Sequence, residues 1–452
     1  MEDKKTYFSK KGESQIAYAL AVVFMLVYFI LPQYFGLDLP ALDLTAQRIL
    51  IVVFAVYLFS SKKRIKDFFE LITKNEMLSF IGIYLFVLLY TAIARKHLGT
   101  FIYSFIEFLA LFMVIYIAKY AMGLKKIIKL IRVMAMVLCL LGIVEYVMHQ
   151  TPFVYLQTIR GLYTGGMVRS GSYRIMGPCN HSLAYGLLLA TILPIICIDE
   201  DRDKVDIIHN MFPFLLVMMN VFLTGSRSTL AIAVLEIVLL FLMSEKMEKK
   251  KLILILLCVL AIGVPTLLAL RNVSVCRSIL VQITSVIDEI LGTSISSMFG
   301  VDKTTLANSS NYRELLLDIF GAGFINPLLG MGSGYEFYWY YKGYYIHSID
   351  NFYIANYIRY GYPGMISYMF IVFRVFITNV KGILKRKSGI LTGLAIGILC
   401  YFINLWWLDT LQTIKYVYIL FALMYVYLDV QGESCKVQDN RGQEKAHRYL
   451  RR

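Results

Sequence analysis

The sequence predicts an all-α polytopic membrane protein of about twelve transmembrane helices, with one large extracytoplasmic loop containing short helices of its own. Three observations predict it. Hydrophobic residues make up 58% of the 452 and charged residues 17%, against roughly 45–50% and 25% in ordinary soluble domains, so the apolar excess has to face lipid. Apolar stretches recur that suit a hydrocarbon core about 30 Å thick, where backbone groups must pair within helices. Lys and Arg are dense in every second connection and sparse in the others.

The stretches run near 16–35, 48–60, 77–94, 101–121, 127–148, 181–198, 207–224, 228–243, 252–270, 352–378, 389–407 and 412–429. They divide the chain into an N-terminal tail (1–15), nine helices (16–270), the large loop (271–350), three helices (351–429) and a basic tail (430–452). A basic stretch precedes the first span, as in a signal peptide. Its apolar core is too long and no small-residue cleavage site follows, so it reads as an uncleaved anchor.

One set of connections holds Lys4, Lys5, Lys10 and Lys11, then Lys62, Lys63, Arg64 and Lys66, then Lys125, Lys126 and Lys129, then Lys246 and Lys249 to Lys251, then Lys385 to Lys387, and the tail. About two thirds of all 45 Lys and Arg lie there, which predicts both termini in the cytoplasm. The net charge of +15 is then mostly topological, with some attraction to anionic lipid headgroups, and a nucleic-acid partner has little support.

Cys139, Cys197, Cys258 and Cys400 fall inside spans, where a thiol acts as a small hydrophobe. Cys435 lies in the tail, while Cys179 and Cys276 lie outside the membrane and could pair in an oxidising compartment. No tandem repeat, phosphate-binding glycine loop or metal-ligand spacing is present, so no cofactor and no metal are expected.

The external connections favour arginine: Arg160, Arg169 and Arg174 before the sixth span, Arg227 in the turn before the eighth, and Arg271, Arg277 and Arg313 in the long loop. Arginine keeps its charge and grips phosphate oxygens through a planar fork. Each one alone is equally well a side chain snorkelling to headgroups; the clustering favours a shared anionic ligand. In Leu223-Thr224-Gly225-Ser226-Arg227-Ser228-Thr229 two apolar helices meet almost without a loop, so hydroxyls and free amides at a helix start stand beside a guanidinium. The plainer reading is an N-cap by Ser226 or Ser228.

In the long loop, Ile279, Leu280, Ile283, Val286, Ile287, Ile290 and Leu291 recur at helical spacing and predict an amphipathic helix, lying on the membrane or over the loop as a lid. A second helix is predicted over Tyr312 to Phe320. Beyond Gly330–Gly334 comes an aromatic run including Tyr335, Trp339 and Tyr345, suited to an interfacial belt for most and to sugar contact for one or two. His347-Ser348-Ile349-Asp350-Asn351 closes the loop. If that segment is helical, His347 and Asp350 share a face and Asp350 orients His347; alternatively Asp350 is the base, or Ser348 or Asp350 caps the next helix. Arg359 lies inside the tenth span, predicted either to line a lipid-diphosphate groove or to pair with a carboxylate such as Glu314 or Glu145. Pro363 bends that span, and Gly361 and Gly364 permit close packing or room for a prenyl chain.

These blocks together resemble the O-antigen ligase and polymerase superfamily: the Thr-x-Ser-Arg-Ser turn, Gly177-Pro178-Cys179-Asn180-His181-Ser182-Leu183-Ala184, Arg313 followed by Pro327-Leu328-Leu329-Gly330-Met331-Gly332-Ser333-Gly334, and His347 to Asn351 before Gly361 and Gly364. They occur in the family's order over roughly residues 177 to 380. One departure is Asp350, where ligases typically carry histidine. The resemblance implies inverting, metal-independent glycosyl transfer from a glycan on undecaprenyl diphosphate at the outer face of a bacterial inner membrane. The residues here suit that chemistry: His347, Asp350 and Arg227 are the catalytic candidates, Arg174, Arg227, Arg313 and Arg359 the candidate binders of the donor diphosphate, and Tyr335, Trp339 and Asn351 the candidate glycan contacts. The implied partners are the lipid-linked oligosaccharide, a glycan acceptor, membrane lipids and a chain-length regulator. A polymerase of lipid-linked repeat units is the first expectation; a ligase moving the glycan to a lipid core or a protein is the alternative. A non-enzymatic transporter of the same lipid is a third, though the internal repeats common in transporters are missing.

Overall fold

The computed structural model describes residues 15–39, 43–163, 165–169, 172–299, 314–385 and 388–430. Each of the twelve apolar stretches falls on a helix. In chain order they are α1 (Gln15–Ile30), α2 (Ala46–Phe59), α3 (Lys62–Thr73), α4 (Leu78–Ala94), α5 (Gly99–Tyr116), α6 (Leu124–Met148), α7 (Ser182–Ile196), α8 (Met211–Leu223), α9 (Arg227–Met243), α10 (Lys246–Ala269), α11 (Ser274–Leu291), α12 (Phe352–Lys385), α13 (Gly389–Asn404) and α14 (414–430).

Four meet both the length and the apolarity of a continuous span: α5 with its π-helical extension to Ala121, α6, α10 and α12. A fifth does so if α3 and α4, bent by 87°, count as one broken span. Helices of 10–17 residues, such as α1, α2, α7, α8 and α13, rise only about 15–26 Å at ~1.5 Å per residue, short of a hydrocarbon core by themselves.

Sequence reading takes Lys62 to Lys66 as part of a loop. The structure makes them the polar face of α3, whose Phe68 and Leu71 are buried. The charged and apolar positions alternate with helical period, the pattern of a helix lying along a membrane surface.

The core is organised about α7. Nearly all its side chains are buried, among α13, α9, α6 and α8. Glycines set the close approaches: a Cβ at Gly186 would lie 2.6 Å from Thr229 Oγ1, and one at Gly393 2.6 Å from Ile198. By contrast, none of the apolar window of α10 is buried, as for a helix wrapped in lipid.

The amphipathic loop helix forms as α11, closed by Gly292 at φ +66° and packed on α9 and α10. Its buried face runs through Leu280, Thr284, Ser285 and Asp288, while Leu291 is exposed. The Asp288 carboxylate accepts from Thr293 Oγ1 (2.6 Å), Ile295 N (2.7 Å) and Ser296 N (2.8 Å), which hold it well below the usual carboxylate range and fix the chain beyond the helix. Of the second predicted loop helix, Tyr312 and Arg313 lie outside the described residues; Glu314 and Leu315 are helical and Leu316–Gly321 is a 3-10 turn. That turn and the Trp339–Ile346 hairpin enclose a separate small core of Leu316, Ile319, Ile325 and Ile346 on Ile354, Tyr357 and Ile358 of α12.

The bend in α12 is at Gly361 (φ 68°, ψ −170°), two residues before Pro363. Breaking the helix frees carbonyls, and the glycine-rich loop answers them: Met331 N donates to Ile358 O (2.7 Å), Gly332 N to Arg359 O (2.9 Å), and Tyr362 N returns a bond to Pro327 O (2.8 Å). A Cβ at Gly330 would strike the Tyr360 amide, and one at Gly361 would strike Pro327 O. From α4, the connection after it and the first turn of α5, Tyr90 Oη donates to Leu328 O (2.9 Å), Arg95 to Gly330 O, and Thr100 bonds Ser333. Close backbone docking accounts for Gly361. The six cysteines described are all free, Cys179 and Cys276 included.

Candidate functional site

The turn between α8 and α9 is built by capping. Ser226 is the N-cap of α9; its Oγ accepts from Thr229 N (3.3 Å) and contacts Thr229 Oγ1 (2.8 Å). Gly225 at φ +62° reverses the chain, and Arg227 becomes the first helical residue, half-buried at the N-terminus of α9. Thus the cap is real, and it also aims a helix N-terminus at whatever Arg227 faces.

Arg174 reaches the same turn from the other side. It is 6% exposed, and its Nε donates to Thr224 O (2.7 Å). A Cβ at Gly225 would stand 3.0 Å from that Nε, so only glycine lets the guanidinium lie so close under the turn. Ile175 N also donates to Leu223 O (3.1 Å).

The strand end carrying Arg174 is fixed by Glu145 of α6, which accepts from Met176 N (2.7 Å), Gly177 N (2.9 Å) and Tyr173 Oη (3.2 Å). His181 then caps α7, its Nδ1 accepting from Leu183 N (3.0 Å). With Nδ1 accepting from an amide, the ring is neutral and its proton sits on Nε2 as a donor. Arg174, His181 and the N-termini of α7 and α9, the second carrying Arg227 in its first turn, are brought together here as a cationic shelf.

Lys415, missed in the sequence, stands near this shelf at the start of α14. It is 4% exposed; its Nζ lies 4.9 Å from the Tyr416 ring centre and 5.6 Å from that of Tyr28, with no hydrogen-bond partner among the described residues. The signal was a lone lysine inside an apolar stretch, hidden because that stretch reads as an ordinary span.

Arg359 does pair with a carboxylate, but with neither of those expected. Its Nη2 lies 2.6 Å from Asp409 Oδ2, in the connection between α13 and α14. Glu145 is instead engaged by the backbone amides of the 176–177 segment. Sequence separation hid this pair, since the contact exists only because α12 and α13 pack together.

The His347–Asp350 segment is not helical. The helix starts at Phe352, and its cap is Asn351, whose Oδ1 accepts from Ile354 N (3.0 Å) while Nδ2 donates to Trp406 O (3.0 Å). The expected shared helical face of His347 and Asp350 is therefore not formed. Asp350 accepts from Ser348 Oγ (2.6 Å), and exposed His347 lies against the rings of Tyr338 (5.4 Å) and Tyr345 (6.3 Å). Tyr335 is half-buried against the loop core, and Trp339 stacks on Tyr341 at 4.4 Å. These two rings line one wall of a cleft of about 490 Å³ completed by Asp318 and Gly321 to Phe324, with Trp339 and Tyr341 as its aromatic lining.

Residues 212–369 match the family model described as O-antigen ligase, consistent with the O-antigen ligase and polymerase superfamily. The matched stretch contains Arg227, Arg313, His347, Asp350 and Arg359; Arg174, His181, Asp409 and Lys415 lie outside it. No curated protein matches the chain.

Proposed function

We propose that this protein is a polymerase of lipid-linked oligosaccharide repeat units, working by inverting, metal-independent transfer from an undecaprenyl-diphosphate donor at the outer face of the inner membrane. The match to the O-antigen ligase family supports the broader statement, a membrane enzyme of polysaccharide assembly. The observation that supports the donor chemistry is the placement of Arg174 and Arg227 at one capped turn, and Asp350, where ligases typically carry histidine, tips the reading towards a polymerase.

In the transfer an acceptor hydroxyl attacks the anomeric carbon, a carbon–oxygen bond forms, and the bond to the diphosphate breaks. Negative charge grows on the departing diphosphate. Cations already in place stabilise that charge more than the ground state, which is where rate comes from. Arg227 and Arg174 hold it, with the neutral His181 as a further donor. Arg313 joins them by resemblance. Arg359 contributes less, because Asp409 already shares its charge. The hydroxyl proton passes to His347 or Asp350, now as separate groups rather than a helical pair. Tyr335, Trp339 and Asn351 remain the glycan contacts proposed from sequence, although the Asn351 side chain also caps α12.

The family description favours a second reading, a ligase. The test is reconstitution of the purified chain in lipid with an undecaprenyl-diphosphate repeat unit and no nucleotide, metal or partner, reading product length on a gel. A ladder lost in Arg227→Ala and in His347→Ala supports the polymerase. Product formed only after a separate acceptor is added means a ligase, and no product in either case returns the transporter reading.

A further inference from the structure

The hairpin that delivers His347 has two unlike faces. Its strands pair Trp339 with Ile346, Tyr340 with Tyr345, and Tyr341 with Tyr344. Continuing the register sets Tyr338 opposite His347. Side chains alternate across a strand, so Trp339 and Ile346 point one way, into the loop core, and Tyr338, Tyr340, Tyr345 and His347 point the other. In a half-buried hairpin the outward face is ordinarily polar. Here it is a sheet of rings: Tyr338, Tyr340 and Tyr345 are 53%, 58% and 62% exposed. The rings touch in sequence, Tyr340 to Tyr345 at 4.6 Å, Tyr345 to Tyr338 at 5.8 Å and Tyr338 to His347 at 5.4 Å.

We propose that this outward strip is the binding platform for the acceptor glycan, whose sugar rings stack on Tyr340, Tyr345 and Tyr338 so that the attacking hydroxyl arrives at His347; the assignment rests on the glycosyltransferase reading above. Three features argue for a sugar as the occupant. The rings are all phenols, offering a flat apolar face for the C–H side of a pyranose and a hydroxyl for its rim. The strip ends on an imidazole able to accept a proton, which makes it continuous with the proposed reaction centre. It is also preorganised: Lys342 at the hairpin turn pairs with Asp318 at 2.9 Å, and the inward face is anchored on α12. A membrane occupant is disfavoured because exposed Glu336 and Lys342 flank the strip and no aliphatic side chain lies on it.

The full chain in nanodiscs is titrated with the oligosaccharide released by mild acid from the producing cell's own lipid-linked donor, using saturation-transfer NMR, and the same preparations are assayed for transfer. Tyr340→Ala with Tyr345→Ala weakens oligosaccharide binding and raises the acceptor KM by about tenfold, with kcat at saturating acceptor within about twofold. Tyr340→Phe with Tyr345→Phe, which keeps the stacking faces and loses only the rim hydroxyls, weakens binding less than the alanine pair and shows that the hairpin still folds. Parent-like binding in the alanine pair overturns the platform. So does a spin label on Tyr340→Cys that relaxes with lipid-borne oxygen rather than with an aqueous nickel chelate, which puts the strip in the headgroups. If the parent forms no product at all, the glycosyltransferase reading fails with it; if the parent is active and the alanine pair keeps its acceptor KM, only the platform is lost.

Discussion

At Arg227 a guanidinium sits on the first residue of a helix whose cap is a neighbouring serine, so charge and helix dipole act in the same direction. Arg227→Ala is expected to lower kcat and kcat/KM together by roughly 10²–10³, as for loss of one group acting on transition-state charge; Arg227→Lys restores part of it, because a point charge replaces the fork. Steady-state kinetics with the lipid-linked donor measures both. His181 makes a stability prediction: His181→Ala removes the side chain that caps α7 and is expected to cost roughly 0.5–2 kcal/mol, read as a lower thermal midpoint, whereas His181→Asn, which keeps a capping side chain, stays nearer the parent.

Among the elements, the broken α12 and the glycine-rich loop are one unit. Neither satisfies its backbone alone: the break exposes carbonyls of Ile358 and Arg359, and the loop amides of Met331 and Gly332 take them. Gly361→Ala places a Cβ against Pro327 O at a φ of 68°. A cost of at least roughly 1–3 kcal/mol is expected from the backbone alone, read as a lower thermal midpoint together with faster proteolysis of the 327–334 loop. The conservative replacement at Gly321, where a Cβ would meet nothing within 4 Å, should leave both unchanged. Proline and glycine in this segment announce a bend in the sequence; which loop fills the bend is absent from it, since the partner lies about thirty residues upstream and docks through backbone atoms that any residue carries.

Across the molecule, the charge alternation read from the sequence proposes that the basic connections and the arginine-bearing ones face opposite sides of the membrane. Cysteine labelling tests this directly. With Cys276 and Cys435 replaced, Glu336→Cys in the outer loop should react with a membrane-impermeant maleimide on intact cells, and Lys250→Cys only after permeabilisation. Equal labelling of both before permeabilisation would overturn the orientation. The bundle also explains the position of the cationic shelf: α7 and α9 begin at the same end, and Gly186 lets α9 approach so closely that Thr229 lies beside it. Two helix starts, each with its own capping side chain, are thereby placed next to each other.

The sequence by itself determined the class of protein, where its helices lie and the arginine turn, because apolar length, charge alternation and capping residues act locally or along a single helix. It also marked a bend in the tenth span, placed at Pro363 where the break is at Gly361. Only the tertiary structure decided which charges meet. Arg174 lies under Gly225, Glu145 is engaged by backbone amides, Arg359 pairs with Asp409, and Lys415 stands between aromatic rings. It decided as well that the segment after Ile346 is extended rather than helical, since Asn351 caps α12 and holds the Trp406 carbonyl at the same time. These are contacts between residues tens to hundreds of positions apart, fixed by how helices pack, and helix packing depends on the shapes of whole faces, which no local motif records.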